Sequence, residues 1–184
     1  MVNFTAKPLP DVSLTDHIRG ILDRLDPSTA DVEECIAMPP EVYTSEEWFE
    51  FEKRAVWDTE WLCLAHTGLI PKASDYISIN VNDDPLLIQR QKDGGVRVMS
   101  AVCQHRGHLL GEERGNTEVF TCEFHGWSYD MDGKLISAPE LAGVHASLEE
   151  LQQSYCLPLL RTEVWNGFIF VNMDGQAKPL APRL

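Results

Sequence analysis

Two short runs carry four side chains able to bind a metal. Cys103-x-His105 and Cys122-x-x-His125 each pair a thiolate with an imidazole, and sixteen residues rich in Gly, Glu and Asn lie between them. Donors of this softness select transition metals over the hard cations that carboxylates and carbonyls hold. Four of them on two loop tips make a metal site. Zinc is one occupant with this composition, in a structural or interaction module without redox chemistry. Against it, structural zinc pairs tend to run Cys-x-x-Cys and fingers place both Cys before both His, whereas the order here is Cys, His, Cys, His.

The flanking residues narrow the choice. Cys103-x-His105-Arg106-Gly107-x-x-Leu110 and Cys122-x-x-His125-Gly126-Trp127-x-Tyr129-Asp130 resemble the iron–sulfur loops of Rieske non-haem iron oxygenases, in the N-terminal domain of their alpha subunit. The resemblance implies a [2Fe-2S] cluster, with Cys103 and Cys122 on an inner iron and His105 and His125 on an outer one that faces solvent or a partner. Charge gives the reason for two imidazoles: two ferric ions, two sulfides and two thiolates sum to zero, and a neutral object accepts an electron more readily than a dianion. Respiratory-chain Rieske proteins add a disulfide brace between the loops and a Ser after the second His-Gly. Here His108, Phe124 and Trp127 stand at those places, which leaves Tyr129 as the hydroxyl donor to a cluster sulfur. Fewer hydrogen bonds to sulfur stabilise the reduced state less, so the expected potential is near the lower end of the Rieske range, about −150 mV. Arg106 is expected to fix its loop through backbone carbonyls or to meet an acidic partner. His108 is expected to tune the site or touch a partner without being a ligand, and Trp127 to shield the cluster from water.

Such loops need rigid mounts, and the surrounding pattern supplies strands. From Trp61 the period is two: Trp61, Cys63 and Ala65 alternate with Leu62, Leu64 and His66, then Ile77, Ile79 and Val81 with Tyr76, Ser78 and Asn80. Asn82-Asp83-Asp84-Pro85 reads as a turn, 86–90 as a strand, and Asp93-Gly94-Gly95 as a turn into a strand over 96–102 that ends at Cys103. Strands over 119–122, 127–131 and 134–136 frame the second loop, residues 147–153 form a short helical turn, and 161–165 with 168–172 make a hairpin on Asn166-Gly167. The expected fold is mainly β, a small antiparallel domain with helices at its amino end. No internal repeat is evident.

Upstream, residues 1–10 read as an extended tail. Ile18, Ile21, Leu22 and Leu25 form a helical stripe ended by Asp26-Pro27, and Thr44 or Ser45 caps a second helix, with Thr44-x-x-Glu47 as a capping box. In that helix Trp48, Phe51 and Ala55 make one stripe with Phe49 and Val56 beside it, most simply core packing. The run YTSEEWFEFEKRAVW also resembles the segment that precedes the oxygenase Rieske domain. The expected organisation is an N-terminal extension over 1–40, the Rieske-type domain over 41–175 and a tail over 176–184.

Fifteen basic against twenty-nine acidic residues give a net charge of −14, which argues against nucleic acid. No apolar run approaches a membrane span and the start lacks the blocks of a signal peptide, so the expected location is cytoplasmic. Cys35, Cys63 and Cys156 share no spacing and read as small buried hydrophobes or incidental thiols. His17 and His66 read as ordinary surface or satisfied-core residues, and His145 is left over. Along the 184 residues no helical His pair offers the His/His/carboxylate set of a mononuclear iron. The resemblance therefore implies that this is the first part of an alpha subunit, with Fe(II) and every catalytic residue in an absent domain. Electrons would come from a reductase or ferredoxin and pass to the catalytic domain of the same or a neighbouring subunit, in a homo- or hetero-oligomer. A free-standing Rieske ferredoxin is the alternative, although its usual small size does not call for the helical extension.

Overall fold

The computed structural model describes residues 14–139, 141, 143 and 146–184. The expected tail over 1–10 and His145 lie outside them. The period-two stretches become β1 (Trp61–His66), β2 (Asp75–Val81), β3 (Asp84–Arg90) and β4 (Val96–Ser100). Three-residue strands follow: β5 (Arg114–Asn116), β6 (Val119–Thr121), β7 (Ser128–Asp130) and β8 (Leu135–Ser137). β9 (Leu159–Trp165) and β10 (Phe168–Asn172) complete the set. The seven-stranded sheet runs β1-β10-β9-β4-β3-β2-β5, the smaller one β6-β7-β8, and the ladders are antiparallel. Asn166 and Gly167 join β9 to β10 with φ of 52° and 85°. Positive φ at both central residues is what a type I′ hairpin turn requires.

β3 and β4 are buried on both faces. Leu87 and Met99 enter a core with Phe120, Trp127, Tyr129, Leu135 and Leu157, while their neighbours Ile88 and Val98 enter another with Leu62, Ile169 and Val171. Strands covered on both sides read as continuous apolar runs, as Leu86-Leu87-Ile88 does. The strand expected over 96–102 stops at Ser100, because Val102 leaves the ladder and bridges to Leu109. β5 has no counterpart in the sequence reading: its Arg, Gly and Asn look like loop. The register explains it. Tyr76 lies opposite Gly115, and a Cβ on that glycine would stand 2.7 Å from the tyrosine ring.

The helices follow their caps. Thr15 opens α1 (Asp16–Leu25) by accepting from Ile18 N–H at 3.2 Å. A short α2 (Glu41–Thr44) precedes α3 (Glu46–Glu52), which runs into a π turn over Lys53–Trp57. Thr44 is the last residue of α2 and forms no capping box. Ser45 is the cap, accepting from Trp48 N–H at 3.2 Å, and Glu47 accepts instead from the Thr15 hydroxyl. Ile18, Ile21 and Trp48 form a third core, apart from those of the sheets. Phe49 and Val56 are both 46% exposed, so only part of the aromatic stripe is core. Cys35 and Cys63 are exposed rather than buried.

α4 (Leu148–Tyr155) extends the expected turn and closes over the smaller sheet. Leu151 joins the core of that half, and Gln152 Nε2 donates to Leu135 O at 2.7 Å. At the far end, the segment without a sequence pattern is held against β1 and β9: Trp61 Nε1 donates to Lys178 O at 2.8 Å and Leu180 N–H to Glu163 Oε2 at 3.0 Å. Among the described residues no helix is long and apolar enough to cross a membrane.

Ser147 and Glu150 form a complete capping box at the start of α4. Ser147→Ala should therefore cost about 1 kcal/mol, read as a lower urea midpoint with an unchanged slope.

Candidate metal centre

Both donor runs sit in β-hairpins of one design. In residues 101–110, AVCQHRGHLL, Leu110 N–H donates to Ala101 O at 2.7 Å, Val102 bridges to Leu109, and Cys103 N–H donates to His108 O at 2.8 Å. In residues 120–129, FTCEFHGWSY, Phe120 pairs with Tyr129, Thr121 with Ser128, and Cys122 N–H donates to Trp127 O at 2.7 Å. Each cysteine carbonyl accepts from the glycine four residues on, Gly107 at 3.0 Å and Gly126 at 2.8 Å. Those glycines have φ of 76° and 71°, a left-handed conformation that side chains disfavour. The backbone frame is thus repeated, although the sequence shows no internal repeat. That repetition is hidden because only Cys and Gly are shared, and the histidines occupy different places: His105 comes two residues after its cysteine and His125 three after.

The hairpins arrange the candidate donors as two unlike pairs, Cys103 with Cys122 and His105 with His125. Cys103 and Cys122 are 1% and 2% exposed, and neither is in a disulfide. His105 and His125 are half-buried, with ring centroids 4.6 Å apart. Among the described residues no three His, Cys, Asp or Glu side chains form a group able to hold one ion. A buried thiol pair beside a half-exposed imidazole pair suits a two-metal unit with different ligands on its two sides.

Burial pushes the Cys103 thiol up, partly opposed by a hydrogen bond with Tyr129, and the neighbouring Cys122 adds to the rise. An uncompensated thiolate is disfavoured here; a bound metal would supply the missing positive charge. Tyr129 is fully buried, with its hydroxyl 3.4 Å from Cys103 Sγ. Gln104 N–H donates to the same oxygen at 3.0 Å. Burial first, then the Cys103 sulfur, drives the phenol strongly upward, so it keeps its proton. Accepting from Gln104 leaves that proton free to point at sulfur. The Tyr129 hydroxyl thus bridges the Gln104 N–H and the Cys103 sulfur.

The remaining candidates divide. Trp127 is 1% exposed and lies parallel to His105, with centroids 4.6 Å apart and planes at 6°. His108 is exposed, its ring 5.9 Å from Phe124, and its carbonyl holds Cys103. Arg106 is exposed and makes no hydrogen bond to a backbone carbonyl among the described residues, so its expected bracing role is not what the structure shows. Phe124 and Leu109, which sequence reasoning did not single out as functional, stand 63% and 59% exposed on the two hairpins, Phe124 with its ring 4.3 Å from that of His125. Their positions within the motif were the available signal. His66 Nδ1 accepts from Gly68 N–H at 3.1 Å, and His17 lies 3.5 Å from the Ser45 hydroxyl; both are structural surface residues.

Comparison with known proteins bears on this site directly. The family model described as Rieske [2Fe-2S] domain matches residues 60–153, which contain both hairpins. The benzene 1,2-dioxygenase subunit alpha of Pseudomonas putida is 38% identical over 143 residues, 77% of this chain and 31% of that protein. The quaternary ammonium Rieske monooxygenase CntA, in complex with L-carnitine, superimposes with a TM-score of 0.72 at 34% identity, covering 79% of this chain and 41% of that one. Naphthalene 1,2-dioxygenase from Rhodococcus sp., bound to indole, gives a TM-score of 0.80 at 28% identity, covering 92% and 38%. The chain thus spans about a third of the length of the curated relatives it matches.

A Cβ added at Gly107 would meet nothing within 4 Å, and one at Gly126 only Pro139 at 3.5 Å, so substitution is opposed by backbone conformation and not by space. Gly107→Ala and Gly126→Ala should each destabilise the protein by about 1–2 kcal/mol, measured by chemical denaturation. A markedly smaller loss at both positions would contradict the left-handed assignment.

Proposed function

We propose, since the chain belongs to the Rieske [2Fe-2S] domain family and is homologous to ring-hydroxylating dioxygenase alpha subunits, that it is the electron-carrying part of such a subunit. One observation carries the ligand assignment: matched hairpins set two buried thiols beside two half-exposed imidazoles. On this reading Cys103 and Cys122 hold the inner iron and His105 and His125 the outer one. Bound there, a [2Fe-2S] cluster would supply one-electron storage and release.

The chain's own residues then have distinct tasks. Tyr129, with its lone pair occupied by Gln104 N–H, donates its proton toward Cys103 Sγ and favours the more negative state. Trp127, Leu135 and Leu157 wall the sulfur side from water. On the imidazole side exposed Phe124 packs against His125 and lies near exposed His108, leaving an apolar rim suited to a protein surface. We assign that rim to the catalytic domain of the same or a neighbouring subunit, where a mononuclear iron would activate oxygen. The net charge of −14 fits a reductase or ferredoxin donor with a basic docking face. All five cysteines are free of disulfides, in keeping with a cytoplasmic setting. We read 1–40 as an extension, 41–175 as the Rieske domain and 176–184 as the lead to further chain. The free-standing ferredoxin and the zinc module are both less favoured, because the match to oxygenase alpha subunits covers 77% of the chain.

Purified protein should be red-brown and contain two irons and two acid-labile sulfides per chain, with a midpoint near −150 mV. One metal ion without sulfide overturns the reading, and a midpoint well above zero counts against the oxygenase type. His105→Cys or His125→Cys, where a cluster assembles, should lower the midpoint because the new ligand is anionic; an unchanged value refutes the ligand assignment. Tyr129→Phe should lower it modestly, and no shift would mean that the hydroxyl serves only Gln104.

A further inference from the structure

We propose that Trp127 is the positioning residue of His105: stacked across from the opposite hairpin, it turns that imidazole inward beside His125. The proposal rests on the reading of His105 as an iron ligand.

The two hairpins relate the rings in pairs. The residue five after each cysteine packs against the residue two after the other: Trp127 on His105, and His108 on Phe124. The first contact is close and parallel, 4.6 Å and 6°, and its tryptophan is 1% exposed. The second is looser, 5.9 Å and 31°, and both of its members are exposed. Phe124 is therefore a control within the molecule. It sits at the hairpin position equivalent to His105, on the same hydrogen-bonded frame, yet its ring is 63% exposed. The backbone at that position permits an outward ring, so something other than the backbone must turn His105 in.

Trp127 is able to do so because it is itself fixed. Its carbonyl receives Cys122 N–H at 2.7 Å, and Tyr155 of α4 meets its face edge-on at 5.4 Å and 87°. A parallel stack covers the face of the imidazole and resists its tilting, so that a metal would be met at the ring edge. Metal-bound histidines are usually oriented by a hydrogen bond from the second nitrogen; the flat face of Trp127 adds a constraint on the plane of the ring. His125 needs less help, since it lies one residue later, next to the glycine, and packs at 4.3 Å from Phe124 and 4.6 Å from His105.

Pulsed EPR of the reduced, cluster-loaded chain tests this, because each imidazole bound to iron gives its own nitrogen coupling. The parent should show two. Trp127→Leu should broaden or shift one and leave the other in place, at two irons per chain, and Trp127→Phe should restore the parent pattern by returning a flat ring. Two couplings in Trp127→Leu that superimpose on the parent's would overturn the proposal. Should that variant lose its cluster, Tyr155→Leu decides: it removes the brace on Trp127 without touching the donors, and is expected to broaden the same single coupling, whereas an unchanged spectrum overturns the proposal. A parent without two nitrogen couplings would instead sink the ligand reading.

Discussion

A main-chain ring closes the mouth of each hairpin: the cysteine N–H reaches a carbonyl five residues on, and its own carbonyl receives the N–H of a glycine. The site depends on this constraint. Because backbone makes the ring, it fixes where the sulfur leaves the chain whatever side chains lie between, and Gln, His and Arg can alternate with Glu, Phe and His in the two copies. Only the glycines are bound to their type, since the ring needs a left-handed residue there.

The rest of the fold keeps those rings still. β3 and β4 are shared by two cores, so the strand that delivers Cys103 is clamped from both faces. The second hairpin stands on a short sheet of its own, too small to be stable alone. It gains its support from α4, from Leu157 N–H on Gly133 O at 2.7 Å, and from Tyr129 reaching across to the first hairpin. The amino-terminal helices form a separate core and contribute no donor.

Polarity across the site follows from depth. Sulfur lies inside, where a lone thiolate is disfavoured and a cationic metal is welcome. The imidazoles lie nearer the surface, half-buried and with their rings in contact. A frame repeated in both hairpins thus carries an asymmetric load, and the asymmetry comes from side chains: a buried tryptophan over one ring and an exposed histidine near the other.

Much of this was legible in the chain. The four donors, the alternation of β1 and β2, the Asn-Gly hairpin and the stripe of α1 could be read directly, because each depends on neighbours a few residues away. β5, the partner of Glu47 and the outward turn of Cys63 could not, since each was decided by a distant partner: Tyr76 over Gly115, the Thr15 hydroxyl on Glu47, the outer side of an edge strand. The hairpin repeat escaped for a related reason. Sequence fixes the type and order of donors, but Cys-x-His and Cys-x-x-His look like loops of unequal length until hydrogen bonds across each mouth show that the glycine marks the repeat. Residue types determined which metal chemistry was open to this protein; which faces of those residues met was left to the packing of two hairpins against each other, because contacts between segments sixteen residues apart leave no period in the chain.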